Sequence, residues 1–301
     1  MKYTELADAD CAIAQALAVV GEWWSLLVVR DVAGGLHRFD QLQAELGVSR
    51  KVLTQRLATL VEHGVLERRR YCEHPPRHEY HLTDKGRGLL PVLVALQDWG
   101  TRHVVGDGAL TATSAATSQE AQRVHELVGR RVEVTGLADA TGRRADPVGS
   151  TPWTVLYCFP GADAPGVRSN PPGWGDIPGA TGCTLESTTF RDRYDEFVAV
   201  GAAVHGVSTQ RPDQLLAFSE HARLPFPLLS DVDLDLAAAL RLPTFRAAGA
   251  DRLKRLTLLV DGDRVVREVL FPVTDPAGSV DEVLGLVRAR SGCGAPQAGG
   301  A

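Results

Sequence analysis

The sequence predicts two folded domains, an α+β domain at the N-terminus and an α/β domain after it. A chain of 301 residues has the length of two domains. A stretch of small, polar and mostly uncharged residues at 106–122 divides it. Helix patterns and a hairpin pattern precede this stretch, and an amphipathic helix between two strand-like apolar runs follows it. We therefore expect an α+β domain at 1–105, a flexible linker at 106–122, an α/β domain at 123–291 and a flexible tail at 292–301.

The composition is that of an ordinary globular protein of the reduced cytoplasm. Hydrophobic residues make up 44% of the chain, and no apolar run approaches the roughly 18 residues of a membrane span. The five cysteines are odd in number and scattered, which does not suit a disulfide framework. The start of the chain lacks the apolar region of a signal peptide. We expect a cytoplasmic location and no membrane partner. A net charge of −5 means that any DNA-binding surface must be local.

The first hundred residues contain short helices with clear boundary signals. Helix patterns cover 11–20, 38–46 and 50–63, and an apolar segment covers 21–29. Gly47 suits the position just after a helix, Ser49 is a good N-cap for the next helix, and Gly64 ends that helix. The pair at 38–46 and 50–63 forms a helix-turn-helix, whose second helix presents exposed N-terminal residues to a DNA major groove.

A β-hairpin follows the second helix and completes a winged helix-turn-helix. Its strands are predicted at 65–71 and 78–82, around a loop that contains prolines. Thr83 then caps a helix that runs to Trp99, and Pro91 within it implies a kink or a restart.

Positive charge is concentrated on this helix and hairpin. Residues 50–70 carry a net charge of +4 within a chain of net charge −5, which suits a phosphate footprint. A solvated face and a protein-binding module are the alternatives, because winged helices serve in both ways. The candidate DNA-binding residues are Ser49, Arg50, Lys51, Thr54, Gln55, Arg56, Arg68, Arg69, Arg70 and Arg77.

A set of residues spread over this domain carries a family resemblance. The set consists of Cys11, Gly21-Glu22-Trp23-Trp24-Ser25-Leu26-Leu27, Arg38-Phe39, Leu53-Thr54-Gln55-Arg56-Leu57, Leu60, Gly64-Val65-Leu66, Pro75-Pro76-Arg77-His78-Glu79-Tyr80, Leu82-Thr83, Gly86 and Trp99. With it, the region resembles the HxlR family of winged-helix regulators, which are relatives of MarR. The resemblance implies homodimers that bind a pseudo-palindromic operator in double-stranded DNA. It also makes Cys11 a candidate redox switch, with a small apolar packing residue as the alternative.

A Pro/Gly-rich loop at 176–182 leads into Cys183, and the residues after it suit an amphipathic helix. Cys183 is therefore expected at or near a helix N-terminus, where free N–H groups and the helix dipole favour an anion. That setting favours a thiolate over a thiol.

The helix terminus alone does not activate the thiol sufficiently. Lowering the pKa of a cysteine from about 8.5 to about 6 requires roughly 3.4 kcal/mol. A helix terminus contributes roughly 0.3–1 kcal/mol, and at best about 2 kcal/mol. A cation should therefore lie nearby. The best candidate is Arg255, which opens a strand-like run at 255–261.

Several short motifs carry a second resemblance, which spans about 132–288. They are Val155-Leu156-Tyr157-Cys158-Phe159-Pro160, Gly182-Cys183-Thr184, Phe190-Arg191-Asp192, Gly206-Val207-Ser208-Thr209, Leu228-Leu229-Ser230-Asp231 and Arg255-Leu256-Thr257. Their order and spacing resemble the peroxiredoxins of the AhpC/TSA kind, most closely the bacterioferritin-comigratory or PrxQ-like branch. The resemblance implies a thioredoxin-like fold, a peroxide substrate and a thiol reductant such as thioredoxin or a low-molecular-weight thiol. It implies that Cys183 attacks the peroxide and becomes a sulfenic acid, while Arg255 stabilises thiolate and peroxide. We expect no cofactor and no metal site.

The approach to Cys183 departs from the family pattern. The family's threonine three residues before the cysteine is Ala180 here, and its proline seven residues before is Asp176. An insertion at 161–175 precedes them. Either the hydroxyl of Thr181 replaces the missing one, or nothing does.

Few cysteines are available to resolve a sulfenic acid. Many relatives have a second cysteine five residues after the first, but this position is Thr188 here. Cys158 lies in a strand-like apolar run and is interpreted as a buried, inert thiol. Cys293, on the tail, is a candidate resolving cysteine.

Three functional hypotheses remain open at this point. The chain is a transcription regulator whose own peroxiredoxin-like domain reacts with peroxide, or a thiol peroxidase that its winged helix dimerises or tethers, or a regulator with a catalytically dead second domain. Under the first hypothesis, oxidation reaches the DNA-binding helix by one of two routes. Cys183 exchanges with Cys11 through a mixed disulfide, or its oxidation unfolds the following helix locally.

Overall fold

A computed structural model of the protein describes residues 10–292. The chain divides into two compact units between Val94 and Ala95, whereas the sequence suggested a boundary at residue 105. The tail and its candidate resolving cysteine, Cys293, lie outside the described residues.

The first unit consists of short helices and a β-hairpin around one apolar core, which confirms the winged helix-turn-helix. Its core includes Val28 of the second helix and Leu53 and Leu60 of the fourth. Among residues 10–292, no single helix is long and apolar enough to cross a membrane, although the first two helices, bent by 73°, pass that test as a pair. In chain order the elements are α1 (Ala12–Val20), α2 (Trp23–Ala33), α3 (Phe39–Leu46), α4 (Arg50–Glu62), β1 (Leu66–Cys72), β2 (Arg77–Leu82), α5 (Asp84–Arg87) and α6 (Leu90–Gly100), of which only Leu90 to Val94 belong to this unit.

The predicted boundary signals act as expected in this unit. Gly47 has a φ of 61°, a left-handed conformation that glycine adopts without strain, and it lets the chain turn from α3 into α4. The side chain of Ser49 accepts a hydrogen bond from the Val52 N–H at 3.3 Å. The single helix expected from Thr83 to Trp99 is instead two, α5 and α6. Pro91 is the second residue of α6, where it needs no helical hydrogen-bond partner, so it marks a restart.

The segment expected to be a flexible linker is packed within the second unit. A π-helical turn at Thr101–Val105 and helix α7 (Gln119–His125) flank it. Ala112 is buried, and its N–H donates to the carbonyl of Pro178 at 2.8 Å. Glu120 forms a buried ion pair with Lys254 at 2.8 Å. These contacts do not match the linker interpretation. Small residues suit a buried, closely packed backbone as well as a flexible chain, so the composition alone does not distinguish the two.

The second unit is built on a seven-stranded mixed sheet of the thioredoxin-like kind, which confirms the predicted fold class. Its strands are β3 (Leu137–Asp139), β4 (Arg144–Ala145), β5 (Trp153–Cys158), β6 (Ala202–Ser208), β7 (Leu228–Ser230), β10 (Leu256–Asp261) and β11 (Val266–Leu270), and a separate hairpin contains β8 (Thr244–Ala247) and β9 (Ala250–Leu253). The strand order is β11-β10-β5-β6-β7-β3-β4. β5, β6 and β7 are parallel, and β10 runs antiparallel to β5.

Helices pack on this sheet and enclose an aromatic core. Tyr157 on β5 stacks on Phe190 of the helix that begins at Cys183, with ring centroids 4.5 Å apart. The central strands are apolar on both faces because helices cover them, as β5 shows with buried residues from 154 to 158. The helices are α8 (Cys183–Asp192), α9 (Tyr194–Ala199), α10 (Pro212–Ala222), α11 (Asp235–Ala239) and α12 (Gly278–Gly292).

Candidate functional site

Cys183 is the first residue of α8, at the helix N-terminus that the sequence suggested. The preceding residue, Gly182, has a φ of 101°, and a Cβ atom there would lie 2.7 Å from Cγ of Pro276. Only glycine therefore fits this turn without strain. Cys183 is 3% exposed, and its thiol donates to the carbonyl of Ala180 at 3.6 Å.

Arg255 lies beside the thiol, immediately before β10. Its Nη2 donates to Sγ of Cys183 at 3.3 Å and to the carbonyl of Thr181 at 2.9 Å. Its Nη1 forms a buried ion pair with Glu186. The fold thus brings together the cysteine and the arginine, which are 72 residues apart in the sequence. The guanidinium is shared between the thiol and a carboxylate.

Burial opposes ionisation of Cys183. It raises the pKa of the thiol, while the charge of Arg255 and the N–H of Gly161 lower that pKa and the charge of Glu186 raises it further. In this arrangement the pKa of Cys183 is therefore raised, and it does not fall to about 6 as the sequence suggested. The helix terminus and one cation do not offset the cost of removing a thiolate charge from water.

Glu186 belongs to the site, and the sequence analysis missed it. The residue is fully buried three positions after Cys183, so both side chains lie on one face of α8. Burial raises the pKa of Glu186 to about 7, against the opposing effect of Arg255. One of its carboxylate oxygens, Oε1, has no hydrogen-bond partner among the described residues. The sequence signal that could have identified Glu186 is its position, three residues after the cysteine in the same helix.

Thr181 takes part through its backbone rather than its side chain. Its carbonyl accepts from Arg255, and the residue is exposed. No hydrogen bond joins its hydroxyl to Cys183 within the described part of the chain, and the role of this hydroxyl stays a prediction. Thr188 bonds back to its own helix, with Oγ1 donating to the carbonyl of Thr184 at 2.8 Å.

The insertion at 161–175 is an ordered loop, and the N–H of its first residue, Gly161, bonds to the thiol of Cys183. Oδ1 of Asp163 accepts from the N–H groups of Ser169 at 2.8 Å and Asn170 at 3.0 Å. The buried side chain of Gln210 accepts from the Ala162 N–H at 2.8 Å and donates to Ser169 Oγ at 2.6 Å. These contacts fix the loop, and its Ala162 and Ala164 belong to the same buried apolar cluster as Cys183.

The other described cysteines have distinct environments. Cys158 is fully buried in β5, and desolvation raises the pKa of its thiol far above the ordinary value. Cys72 is partly exposed in the wing. Cys11 is exposed at the N-terminus of α1. Among residues 10–292, no group of three or more His, Cys, Asp or Glu side chains is placed to hold a metal ion.

The candidate DNA-binding residues form the start of α4 and the wing. Ser49, Arg50, Lys51, Thr54, Gln55, Arg68, Arg69, Arg70 and Arg77 are exposed. Arg56 is only half-buried rather than exposed, and its Nε is buried without a partner among the described residues. Arg69 pairs with Glu67, and Arg70 pairs with Glu73 at 3.0 Å, so part of the wing's positive charge is neutralised.

One basic residue of this surface was not among the candidates. Arg38 lies 4.6 Å above the ring of Tyr71 and pairs with Glu79 at 3.0 Å. With Arg50 and Arg77 it lines a cleft of about 420 Å³ between α3, α4 and the wing. Its place just before α3, opposite the wing, becomes visible only in the folded unit.

Two family models match the chain, one for each domain. A model described as HxlR-like helix-turn-helix matches residues 19–107. A model of the AhpC/TSA family matches residues 177–269, a range that contains both Cys183 and Arg255.

Curated relatives match through the N-terminal domain. An uncharacterized HTH-type transcriptional regulator of Mycobacterium tuberculosis is 43% identical over 93 residues, which are 31% of this chain and 59% of that protein. The uncharacterized HTH-type transcriptional regulator YvaP of Bacillus subtilis is 36% identical over 91 residues, which are 30% of this chain and 84% of that protein. The chain thus spans less than two thirds of the mycobacterial relative.

Solved structures match through the second domain. Peroxidoxin BcpB from Mycobacterium tuberculosis has 29% identity and a TM-score of 0.45, covering 54% of this chain and 96% of that one. Peroxiredoxin Q from Xanthomonas campestris has 25% identity and a TM-score of 0.42, covering 54% of this chain and 93% of that one. By its relatives and the two family matches, the chain belongs to the HxlR-type helix-turn-helix regulators and carries a domain of the AhpC/TSA family after its DNA-binding domain.

Proposed function

We propose that the protein is a cytoplasmic, DNA-binding transcription regulator whose AhpC/TSA domain reduces or senses peroxides through Cys183. One observation carries the chemical part of the proposal. The sulfur of Cys183 begins a helix and lies 3.3 Å from Nη2 of a buried arginine, Arg255. A helix N-terminus and a guanidinium are the two features that stabilise a thiolate and the anionic oxygen that a peroxide bond releases.

The proposed reaction transfers two electrons from sulfur to the peroxide. The Cys183 thiolate attacks one oxygen of the peroxide, so that an S–O bond forms and the O–O bond breaks. The other oxygen leaves as alkoxide or hydroxide and takes a proton. The cysteine is oxidised to a sulfenic acid, and the peroxide is reduced to an alcohol or water. Arg255 stabilises the attacking thiolate and the leaving oxygen.

Return to the thiol requires a second sulfur. A reductant thiol attacks the sulfenic sulfur and displaces water, which gives a mixed disulfide, and another thiol then releases Cys183. Thr188 occupies the position where many relatives have the second cysteine, and Cys158 is buried. We therefore assign this role to an external thiol, such as thioredoxin or a low-molecular-weight thiol, or to a distant cysteine of the chain, such as Cys293. This chemistry uses only sulfur and peroxide, without a cofactor.

The DNA part of the proposal rests on the exposed cations of α4 and the wing. Arg50, Lys51 and Gln55 lie on the exposed face of the first turns of α4, where a recognition helix contacts base edges and phosphates. The wing arginines, such as Arg68, are exposed, and we assign them to phosphate contacts. We propose a homodimer on a pseudo-palindromic operator, since each half-site takes one such helix.

A second candidate function is a regulator whose AhpC/TSA domain is chemically inert. The observation that favours it is the burial of Cys183, which leaves the thiol 3% exposed and raises its pKa. A buried, protonated thiol reacts slowly with peroxide.

Intact mass after a brief peroxide pulse separates the two candidates. The proposed function predicts one added oxygen at low peroxide, trapped with a sulfenic-acid reagent and mapped to Cys183. A Cys183→Ser variant should lose this signal and otherwise fold as wild type. If the wild-type protein gains no oxygen at Cys183, the proposed peroxide chemistry is refuted and the regulator with an inert AhpC/TSA domain is supported.

DNA affinity of reduced and peroxide-treated protein tests whether the chemistry regulates DNA binding. The probe is the promoter of the protein's own gene, and the proteins are wild type, Cys183→Ser and Cys11→Ser. Loss of the response in Cys183→Ser alone supports a sensor without a disulfide relay, and loss in both supports exchange with Cys11. Equal affinity of reduced and oxidised wild type would leave two independent functions in one chain.

A further inference from the structure

A second arginine, Arg252, is buried next to the thiol site without an acidic partner. It lies on β9 and is 6% exposed. Its Nη2 donates to the carbonyl of Ser169 at 2.6 Å, and its guanidinium lies 5.8 Å from the ring of Trp174. Within residues 10–292, no carboxylate forms an ion pair with it, and its Nε is buried without a hydrogen-bond partner. A buried guanidinium in this state is costly unless an anion comes close to it.

Gly161 connects this cation to the sulfur. Its N–H faces the sulfur of Cys183 and favours the thiolate. A Cβ atom placed on Gly161 would lie 3.3 Å from Nη1 of Arg252 and 2.6 Å from Oδ1 of Asn170, which is itself buried without a partner. The thiol, the guanidinium and an unpaired amide oxygen therefore surround one glycine.

The charges around the thiol show why a second cation matters. Arg255 donates to the sulfur, but it is also paired with Glu186, and that pair is neutral when the carboxyl is ionised. A thiolate formed beside this pair alone would leave a net buried charge of −1. With Arg252 included, the same thiolate makes the set neutral.

Two other groups near the thiol do not replace Arg252 as the second cation. The hydroxyl of Tyr157 is buried, uncharged and bonded to Ser187 at 3.1 Å. The carboxylate of Asp163 faces Arg252 across the loop, but it is exposed and already accepts from the Ser169 hydroxyl at 3.1 Å. Its charge is therefore largely screened by water.

We propose that Arg252 is a second cation that compensates the charge of the Cys183 thiolate, held in place by Ser169 and Trp174 of the inserted loop. The inference rests on the proposed thiol chemistry at Cys183 and identifies how this chain supports it. Arg252 acts on the thiol through its charge, so it is a positioning residue of the thiolate rather than a group that contacts the peroxide. The insertion then has a role in the site, because it supplies the contacts that hold the second guanidinium.

The test is the pH dependence of Cys183 alkylation in the full-length protein. Wild type and variants are treated with iodoacetamide between pH 5 and 10, and modification of Cys183 is measured by peptide mapping. Arg252→Gln should raise the pKa of Cys183 by about one unit, which is about tenfold less thiolate at neutral pH, or roughly 1.4 kcal/mol. Arg252→Lys should restore most of the wild-type profile, because it keeps the charge. Arg246→Gln is the matched control, since Arg246 lies on the same hairpin but is exposed and paired with Asp251 at 2.7 Å.

Two results would overturn the inference. One is an Arg252→Gln protein that is folded and has the wild-type pKa at Cys183. The other is an Arg252→Lys protein as unreactive as Arg252→Gln, which would mean that geometry matters and charge does not. If Arg252→Gln fails to fold, Arg252→Met is compared with Arg252→Lys in the same way.

The readout also separates this inference from the proposed function. Alkylation measures the thiolate without any peroxide. A pKa that responds to Arg252 in a protein that forms no sulfenic acid would refute peroxide chemistry and keep the role of Arg252. Rapid sulfenic acid formation that is unchanged in Arg252→Gln, together with an unchanged pKa of Cys183, would support the peroxide chemistry and refute the role of Arg252.

Discussion

Replacing Glu186 by Gln should make Cys183 more reactive, and only above about pH 7. The carboxylate is buried beside the thiol, pairs with Arg255 and has a pKa raised to about 7 by burial. Glutamine keeps the shape and an oxygen that accepts from Arg255, but it removes the negative charge. The guanidinium charge is then available to the thiolate alone.

The size of the effect follows from the spacing along α8. Residues three apart on a helix have Cβ atoms roughly 5–6 Å apart. At roughly 6 Å and an effective dielectric constant of about 20, two unit charges interact by about 2.8 kcal/mol, or about two pKa units. This is an upper value, so the Glu186→Gln protein should have up to about 100-fold more thiolate. Below about pH 7 the wild-type carboxyl is protonated, and the two proteins should converge.

The raised pKa of Glu186 also makes the stability of the folded protein depend on pH. Glu186 has an ordinary pKa of 4.5 and a folded-state pKa of about 7. The folded state therefore binds more protons between these values, so this residue lowers the stability of the wild type as pH rises through that window. The Gln variant lacks this loss. Its stability relative to wild type should increase from pH 4.5 to 7.

The assay is the alkylation rate of Cys183 at pH 5 to 9, followed by peptide mapping. Glu220→Gln, an exposed glutamate on α10, is the control and should follow wild type. Parallel profiles for wild type and Glu186→Gln at every pH would refute the reasoning, because the carboxylate would then exert no charge effect on the thiol. Slower alkylation of the variant above pH 7 would show that the carboxylate's hold on Arg255 matters more than its charge.

Three further predictions concern the chemistry, the fold and the DNA surface. Arg255→Ala should slow sulfenic acid formation at least tenfold, measured by stopped-flow competition for peroxide, because the remaining thiolate loses its bonded cation. Asp231 is fully buried with a pKa raised to about 7 from 3.8, so Asp231→Asn should gain up to about 4 kcal/mol relative to wild type as pH rises from about 4 to 7 in calorimetry, unlike the exposed Asp233→Asn. Gln55→Ala should cost about 1–3 kcal/mol on the operator only, whereas Arg69→Ala should weaken all DNA and reduce the salt slope.

The elements that the sequence predicted well have local causes. The turn at Gly47, the cap at Ser49 and the helix after Cys183 each depend on a few neighbouring residues whose conformational preferences are strong. The helix-turn-helix could therefore be predicted to within a residue or two of its observed boundaries. Pro91 was ambiguous, because proline fits both a kink and the first turn of a new helix.

The parts that the sequence did not reveal depend on contacts between distant segments. The loop at 161–175 is held by Gln210 and Arg252, which come from segments far along the chain. The effect of Glu186 on the thiol also needs the three-dimensional arrangement, because it acts in part through Arg255. The pairing of Arg255 with the cysteine was predicted through the family resemblance and the energetic need for a cation, since spacing alone does not indicate it.

Oxidation of Cys183 can act on the ordered segment at 106–122 through the contacts of Lys254. Lys254 lies between the two cations of the thiol site, Arg252 and Arg255, and its Nζ donates to the Thr113 carbonyl at 3.1 Å and to Glu120 at 2.8 Å. A sulfenic acid removes the thiolate charge that these arginines stabilise. Residues 252–255 are thus a physical connection between the thiol and the segment once expected to be a flexible linker. A tenfold change in DNA affinity requires about 1.4 kcal/mol of difference between the two redox states, an energy similar to that of one charge-assisted hydrogen bond such as Lys254 makes with Glu120.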